Sequence, residues 1–346
     1  MENNSISIVI DGVGNSGGTD RVASVLSTLL SDNNYKVTIY TFNKLTPYYP
    51  ISQKVNIVYP DSEGFLSTCN AISNKIVKSK SPKTLVISMG KLSSIFIPIL
   101  KLKRYNGMVL CNDHVSVESF SPLKRFVKFF SYFISDKVIV LTQNDKSYLS
   151  KFIPSKKVSV IPNISPFHGA NSSSYESRQK IAIAVGRLSY QKNFHALVDL
   201  WYKANISDWE LYIIGDGDEK DSLINKIKGY ELDNVKLISA QKNISSWYDK
   251  ASLILMTSRY EGLPMVLIES KNFGVPAISI NCKTGPKEII CDDGYVVDDF
   301  NEFKDRLNQL CKDTKLRKLM SDNSHVNSSN YSPDAVINKW LNALKD

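Results

Sequence analysis

The sequence predicts an α/β protein with two domains, each built on a doubly wound parallel sheet. Short apolar runs of the buried-strand type alternate with stretches whose apolar residues recur at helical spacing. This alternation favours parallel strands joined by helical crossovers. A polar stretch with a glycine and a run of serines, residues 165–179, interrupts the pattern before it restarts. The 346 residues are enough for two domains of ordinary size.

Each predicted domain has its own series of strands. In the first half the strand-like runs are ISIVI, KVTIYTF, TLVISM, MVLCND, KVIVLT and KVSVIPN; in the second they are KIAIAVG, ELYIIG, NVKLIS, SLILMT and VPAISI. We therefore expect a first domain over 1–164, a linker over 165–179 and a second domain over 180–331. A terminal helix over 332–346 is expected to return to the first domain. Because ligands of such sheets lie at the carboxyl ends of the strands, we expect the site in a cleft that both domains face.

Composition and charge narrow the class of protein. No apolar run reaches 18 residues and the first seven residues do not resemble a signal peptide, so we expect a cytoplasmic protein without a spanning helix. The five scattered cysteines predict reduced thiols without disulfides or a structural zinc. Up to Ser165 there are 20 Lys and Arg against 10 Asp and Glu, whereas the rest has 23 against 24. The basic first half therefore faces an anionic partner (a membrane surface, a phosphorylated acceptor or a nucleic acid) or water alone.

A glycine-rich loop follows the first strand. Gly12, Gly14 and Gly17 match the G-x-G-x-x-G pattern of dinucleotide-binding loops, in the strand–loop–helix context that the pattern requires. The second strand ends in Thr41-Phe42-Asn43, however, and lacks the acidic residue that would hold the ribose of NAD. The loop is therefore predicted either to let its backbone approach a ligand closely or to be a plain tight turn.

Two glutamates around a predicted helix start are the most specific feature. Glu261 precedes Pro264, which suits the first turn of a helix, and Glu269 lies about one turn inside that helix. The amides predicted to be free at this helix start are those of Met265, Val266 and Leu267. They would point at an anion such as a diphosphate, which the helix dipole also favours. Glu269 would accept hydrogen bonds from sugar or ribose hydroxyls.

These features together resemble the retaining family 4 glycosyltransferases. Glu261 and Glu269, with seven residues between them, are similar to the E-x7-E motif of that family. Other segments are similar to family motifs in the expected order: the glycine loop with Gly17, Gly18 and Arg21, GRLSYQKN from Gly186, GDG from Gly215, and GPKEII from Gly285. The resemblance covers nearly the whole chain and implies the GT-B architecture of two Rossmann-like domains.

The resemblance implies a nucleotide-sugar donor, with UDP as the expected nucleotide. Arg187 and Lys192 would bind its diphosphate, Glu261 its sugar and Glu269 its ribose. Further donor-binding residues implied are Gly17, Gly18, Gly215, Asn243, Met265, Val266 and Leu267. His114 would face the reacting centre, or else is simply held by backbone groups.

The two cations would let the enzyme work without a divalent metal or any other cofactor. Asp216-Gly217-Asp218 also spells the D-x-D of a metal-binding glycosyltransferase fold, but the GDG turn of the family explains it.

The resemblance further implies transfer of a hexose or N-acetylhexosamine with retention, by attack from the face that the diphosphate leaves. The expected acceptor is a polyprenyl-linked glycan or an oligosaccharide of surface polysaccharide synthesis. A nucleotide-sugar epimerase and a non-catalytic nucleotide-sugar-binding module of the same fold remain as alternatives. An epimerase should lack the E-x7-E segment, and a binding module should not keep both glutamates.

Residues 121–133 mix cations with large aromatic side chains. Lys124, Arg125 and Lys128 cluster over one turn, and the phenylalanines at helical spacing are Phe126, Phe129, Phe130 and Phe133. Together with residues 100–104, this segment is predicted to bind an anionic bilayer, as expected for a peripheral enzyme at the inner face of the cell membrane. The alternative is a core helix with its lysines on the outer face. We expect no nucleic-acid partner, because the sequence contains no recognised nucleic-acid-binding motif.

Overall fold

The computed structural model describes residues 5–79, 85–170 and 172–345. The chain forms two compact units, of which unit 1 comprises Met1–Ile164 with Pro333–Asp346 and unit 2 comprises Ser165–Ser332. The segment 165–179, expected as a linker, belongs to unit 2 by its contacts. Its Phe167 ring lies 5.4 Å from that of Phe273. The Arg178 guanidinium donates to the Ala251 carbonyl at 3.1 Å.

Unit 1 contains a seven-stranded sheet in which every pair is parallel. Its strands are β1 (Ser5–Ile10), β2 (Lys36–Thr41), β3 (Asn56–Val58), β4 (Leu85–Met89), β5 (Val109–Asn112), β6 (Lys137–Val140) and β7 (Val158–Val160). Their order is β3-β2-β1-β4-β5-β6-β7. Ile8 of β1 pairs with Ile39 and Ile87 on the neighbouring strands, and all three are fully buried. Such burial on both faces is why these strands are apolar runs.

The helices of unit 1 that connect its strands are α1 (Gly18–Asp32), α2 (Phe65–Val77), α3 (Ser93–Leu102), α4 (Pro122–Ile134) and α5 (Gln143–Leu149). The last helix of the chain, Pro333–Lys345, packs on α1, with Trp340 buried beside Val22 and Leu26. The prediction that this helix returns to the first domain is confirmed.

Unit 2 contains a six-stranded parallel sheet in the order β10-β9-β8-β11-β12-β13. Its strands are β8 (Ile181–Val185), β9 (Glu210–Ile214), β10 (Val235–Ile238), β11 (Leu253–Met256), β12 (Ala277–Ile280) and β13 (Gly294–Val297). Its helices are α6 (Phe194–Ala204), α7 (Lys220–Gly229), α8 (Ser245–Lys250), α9 (Met265–Asn272), α10 (Pro286–Ile289), α11 (Phe300–Lys312) and α12 (Thr314–Ser328). The helix Pro333–Lys345 is α13.

The α/β fold class predicted from the strand-like runs is confirmed, and every run contains a strand. Two strands were missed, β3 and β13, which have three and four residues. Each lies at an edge of its sheet. Their apolar runs, residues 57–59 and 295–297, are only three residues long and do not stand out from the surrounding sequence.

Candidate functional site

The loops after β8 and β11 lie side by side in unit 2. β8 pairs with β9 on one side and with β11 on the other, so the direction of strand order reverses at this point. Ligands of doubly wound sheets bind at such a switch point, outside the carboxyl ends of the strands. The loop after β8, residues 186–193, contains Arg187 and Lys192, and the loop after β11, residues 257–264, contains Glu261.

Hydrogen bonds link these two loops along their length. The Arg259 amide donates to the Gln191 carbonyl at 2.8 Å, and the Gln191 side chain donates to the Tyr260 carbonyl at 3.0 Å. The Thr257 hydroxyl donates to the Asn193 carbonyl at 3.1 Å, and the Arg259 guanidinium donates to the Asn193 side chain at 2.8 Å. The relative position of the two loops is therefore fixed by several bonds. Sequence reasoning missed Arg259, although it stands only two residues before Glu261.

Lys192 and Glu261 form an ion pair between the loops. The Lys192 ammonium donates to Glu261 Oε1 at 2.6 Å, and both side chains are largely buried. A Cβ on Gly186 would lie 2.9 Å from Cε of Lys192, so glycine leaves room for the path of the lysine side chain. Arg187 is exposed and makes no ion pair with a described residue. Of the four charged residues predicted here, the structure thus joins Lys192 and Glu261 directly.

Glu269 lies inside α9 and is almost completely buried. The hydroxyl of Tyr248, on α8, donates to its Oε2 at 2.8 Å. This bond fixes the orientation of the Glu269 carboxylate. Sequence reasoning missed Tyr248, because no pattern relates a residue of α8 to the E-x7-E segment.

The start of α9 differs in one respect from the prediction. Pro264 is its N-cap residue and Met265 its first residue, so Met265 and Val266 lie in the first turn as expected. The amide of Leu267 is not free, because it donates to the Pro264 carbonyl at 3.2 Å. The expectation that Leu267 offers its amide to a ligand is therefore wrong. A tight first turn of the 3-10 type consumes that donor.

Close packing of two backbone segments explains why residue 215 is a glycine. A Cβ at Gly215 would overlap the carbonyl oxygen of Gly186, because the loops after β8 and β9 are in direct contact. The Leu188 amide donates to the Asp216 carbonyl at 3.0 Å. The Asp216 carboxylate accepts from the Ala240 amide at 2.8 Å, and this bond lowers the pKa of Asp216. The GDG turn therefore positions the loop that carries Arg187 and Lys192.

We expect Gly215→Ala to destabilise the protein by about 1–3 kcal/mol, since the added methyl group must displace backbone. The matched control is Gly229→Ala in α7, where an added Cβ meets nothing within 4 Å. That control should be neutral or stabilising by up to about 1 kcal/mol, from helix propensity. Urea denaturation followed by circular dichroism measures both, and equal midpoints for the two variants would contradict this account.

Two further predicted segments lie near these loops. The Thr284 hydroxyl donates to the Glu261 carbonyl at 2.6 Å. Gly285 has a φ of 100° and packs against the Gly262 carbonyl, so only glycine suits this turn. The Asn243 side chain is exposed and accepts from the Ser245 hydroxyl at 2.6 Å, just before α8.

The glycine loop of unit 1 packs on the segment that follows β2. Gly17 is the N-cap residue of α1 and Gly18 its first residue. A Cβ on Gly14 would lie 2.6 Å from the Cβ of Leu45, and the Tyr49 hydroxyl donates to the Ser16 carbonyl at 2.8 Å. The loop therefore packs tightly at Gly14, whereas the start of α1 at Gly17 and Gly18 remains accessible.

His114 follows β5 by two residues. The residue is half-buried, and both ring nitrogens are enclosed and have no hydrogen-bond partner among the described residues. Burial, and then the positive charge of Lys128, lower the pKa of His114 to about 4. The imidazole is therefore neutral at physiological pH.

Helix α4 does not present all of its basic residues at the surface, since only Lys124 of the three is exposed. Lys128 is 1% exposed and forms an ion pair with Asp113, so it belongs to the interior of unit 1. The Arg125 guanidinium donates to the carbonyls of Glu118 and Phe120. The outward face is apolar instead, and its exposed large side chains are Leu123, Phe126, Val127, Phe130 and Phe133. The expectation of a cluster of three surface cations here is wrong, because buried acceptors bind Lys128 and partly buried carbonyls bind Arg125.

The described residues contain neither a candidate membrane span nor a candidate metal cluster. Within 5–79, 85–170 and 172–345, no helix is long and apolar enough to cross a bilayer. The same residues contain no group of three or more His, Cys, Asp and Glu side chains that could hold a metal ion.

Comparisons with known proteins agree with this geometry. A family model described as "Glycosyl transferases group 1" matches residues 170–326. The amylovoran biosynthesis glycosyltransferase AmsD of Erwinia amylovora is 47% identical over 345 residues, which cover 97% of this chain and 98% of that protein. An α-1,4-N-acetyl-D-galactosaminyltransferase of Campylobacter jejuni, which acts on a GalNAc-containing, undecaprenol-diphosphate-linked glycan, is 25% identical over 96% of each chain.

Among solved structures, a variant of S. aureus TarM in complex with Fondaparinux, alpha-GlcNAc-glycerol and UDP superimposes with a TM-score of 0.85. It covers 99% of this chain and 100% of that chain at 15% identity. At that identity the likeness shows the fold alone, which is the GT-B fold of two Rossmann-like domains. From the sequence relationship to AmsD and the family match, this chain belongs to the glycosyltransferases of group 1.

Proposed function

We propose that this enzyme transfers a hexose or N-acetylhexosamine from a UDP-sugar, with retention, to a lipid-linked or oligosaccharide acceptor in surface polysaccharide synthesis. The observation that carries the proposal is the ion pair between Lys192 and Glu261 at the switch point of the unit 2 sheet. The names of AmsD and of the Campylobacter jejuni transferase support the polysaccharide and lipid-linked parts.

The leaving diphosphate determines what the site must supply. Negative charge develops on it as the glycosidic bond breaks, so fixed cations and amides aimed at it lower the barrier. Lys192 supplies a cation whose position Glu261 fixes, and the exposed Arg187 is available to supply the second. The amides of Met265 and Val266, in the first turn of α9, add donors and the positive end of a helix dipole.

In this proposal, two carboxylates bind the hydroxyl groups of the donor. Glu269, oriented by Tyr248, accepts from the ribose, and Glu261 contacts the donor sugar. His114 is the candidate of unit 1 for orienting a hydroxyl of the sugar or of the acceptor. Retention then follows from attack on the face that the diphosphate leaves, with a phosphate oxygen taking the proton of the acceptor hydroxyl.

We propose that no divalent metal takes part. Asp216, the first residue of the D-x-D sequence, has its carboxylate bound by the Ala240 amide and lies 3.3 Å from the Lys220 ammonium. Arg187 and Lys192 supply the charge that a metal would otherwise bring. A chelator should therefore leave turnover unchanged.

The test is a donor screen with the full chain. UDP release is measured with UDP-galactose, UDP-N-acetylgalactosamine and UDP-N-acetylglucosamine, each with a lipid-linked acceptor and with or without EDTA. Nuclear magnetic resonance of the product then gives the anomeric configuration. Conversion of one UDP-sugar into another without UDP release would favour the epimerase instead. Tight UDP binding without any turnover would favour the binding module.

We also propose that the enzyme works at an anionic membrane surface, which it meets through the outward face of α4. Phe126 and Phe133 are each more than 70% exposed on this face, and Lys124 beside them is exposed. The Lys157 ammonium donates to the Phe133 carbonyl at 2.6 Å, and this bond places a second cation at the C-terminal end of the outward face of α4. Aromatic side chains beside cations fit the boundary between acyl chains and anionic headgroups.

Replacing Phe126 and Phe130 together by serine should lower the partition coefficient onto phosphatidylglycerol-containing vesicles by at least about tenfold, because each phenylalanine contributes about 1.5–3 kcal/mol when buried. Leu319→Ser, at an exposed position of α12, is the control and should bind like the wild type. Vesicle sedimentation at low salt measures all three proteins. Binding of the wild type that equals that of the double variant would refute the role of this face.

A further inference from the structure

We propose that Lys128 and Asp113 are positioning residues that fix the turn carrying His114 and so set the orientation of its imidazole for glycosyl transfer. The inference rests on the proposed function for the role of His114. It assigns a purpose to a buried ion pair that neither donor binding nor membrane binding requires.

The pair is enclosed and its hydrogen bonds are satisfied. The Lys128 ammonium contacts three acceptors: the Asp113 carboxylate, the Ser93 hydroxyl and, at 2.8 Å, the Gly90 carbonyl. The Tyr132 hydroxyl donates to the second oxygen of Asp113. Burial lowers the pKa of Lys128, but the charge and hydrogen bond of Asp113, together with those of Cys111, raise it above its ordinary value, so the ammonium stays charged.

The pair joins the ends of two neighbouring strands. Gly90 directly follows β4 and Asp113 directly follows β5. The Asp113 amide also donates to the Ile139 carbonyl on β6 at 3.0 Å. Lys128 therefore holds the β4 and β5 loops together at the carboxyl edge of the sheet, where the ligands of doubly wound folds bind.

The end of β5 and the turn that follows it contain several polar atoms without a partner among the described residues. Asn112 Oδ1, both ring nitrogens of His114 and Ser116 Oγ are enclosed and make no hydrogen bond to a described residue. Buried polar groups in proteins are nearly always paired, so such a group of atoms is typical of a place that receives a ligand. Since His114 has no bond of its own to orient it, its orientation depends on the backbone that Asp113 and Lys128 hold.

Stability alone is a poor explanation for the pair. Transferring two charges into a protein interior costs several kcal/mol per ion, and replacing such a pair by uncharged groups is often neutral. The double variant Lys128→Met with Asp113→Asn removes both charges and keeps an acceptor for the Tyr132 hydroxyl. It therefore tests positioning with less risk to folding than either single change.

We expect the double variant to keep its thermal midpoint and its Kd for UDP, and to lose about 10–100-fold in kcat, as small misplacements of catalytic groups do. The control removes a more exposed pair of the same unit, by Lys101→Met with Asp136→Asn, and should keep kcat. A double variant with the kcat of this control overturns the proposal. If the double variant does not fold, Tyr132→Phe replaces it and should lower kcat several-fold; unchanged kcat there also overturns the proposal.

A second measurement does not depend on turnover. The chain has four histidines, and the imidazole signals of His114 in a long-range ¹H–¹⁵N spectrum are identified by their loss in His114→Asn. The double variant should shift these signals and raise the pKa of His114, because the Lys128 charge that lowers it is gone. Unchanged signals overturn the inference, even if the wild type proves to use no UDP-sugar and the proposed function itself fails.

Discussion

Replacing Lys192 by methionine is expected to lower kcat by about 10²–10³-fold, the loss found when one preorganised donor to a developing negative charge is removed. The change also leaves Glu261 buried without its ion-pair partner. Because the lysine acts on charge that appears in the transition state, kcat and kcat/KM should fall by a similar factor. Steady-state UDP release, measured with the donor that supports turnover, gives both constants.

The control for this change is Lys236→Met on β10, which breaks an exposed ion pair with Glu210 in the same unit. It should keep kcat within about twofold, since exposed pairs contribute little. Thermal unfolding of both variants separates a catalytic loss from a folding defect. A Lys192→Met enzyme with the kcat of the wild type would remove the basis of the proposed mechanism.

The largest expected effect on stability comes from the ion pair between Lys271 on α9 and Asp293 before β13. Both side chains are 3% exposed. Lys271→Met leaves the Asp293 carboxylate buried without a counter-charge and should cost about 3–5 kcal/mol. Guanidinium denaturation followed by tryptophan fluorescence measures the change.

A double variant, Lys271→Met with Asp293→Asn, should recover much of this loss, because no unpaired charge remains. The introduced asparagine would still offer an acceptor to the Cys291 amide, which Asp293 binds at 2.9 Å in the wild type. The exposed pair of Lys180 and Asp208 supplies the control, and Lys180→Met should change stability by at most about 1 kcal/mol. Equal effects of Lys271→Met and Lys180→Met on the free energy of unfolding would show that burial does not determine how much these ion pairs contribute to stability.

The parts of the fold that the sequence predicted are those whose physics is local. Central strands such as β1 and β8 are buried on both faces, so a run of apolar residues marks them. The start of α9 was marked by Pro264 and the end of β8 by Gly186. The edge strands β3 and β13 have apolar runs of only three residues, which is why they were missed.

The parts that could not be predicted depend on contacts between distant segments. Lys128 stands four residues after Lys124, and this spacing alone indicates one basic helix face. The structure separates the two, because acceptors on Gly90 and Asp113 bind Lys128 inside unit 1. In the same way, the bonds of Arg259 to the loop after β8 and of Tyr248 to Glu269 follow from tertiary proximity.

The return of α13 to α1 has a consequence during synthesis. The ribosome releases Ile164 long before Pro333, and at about 5–20 residues per second the interval lasts roughly 10–30 s. Throughout it, the patch of α1 that Trp340 later covers, with Val22 and Leu26, stays open to water and to chaperones. The nascent amino-terminal half therefore cannot complete its packing until α13 has been synthesised, and a nonsense mutation between Ile164 and Pro333 should leave this patch uncovered and send the shortened chain to proteolysis.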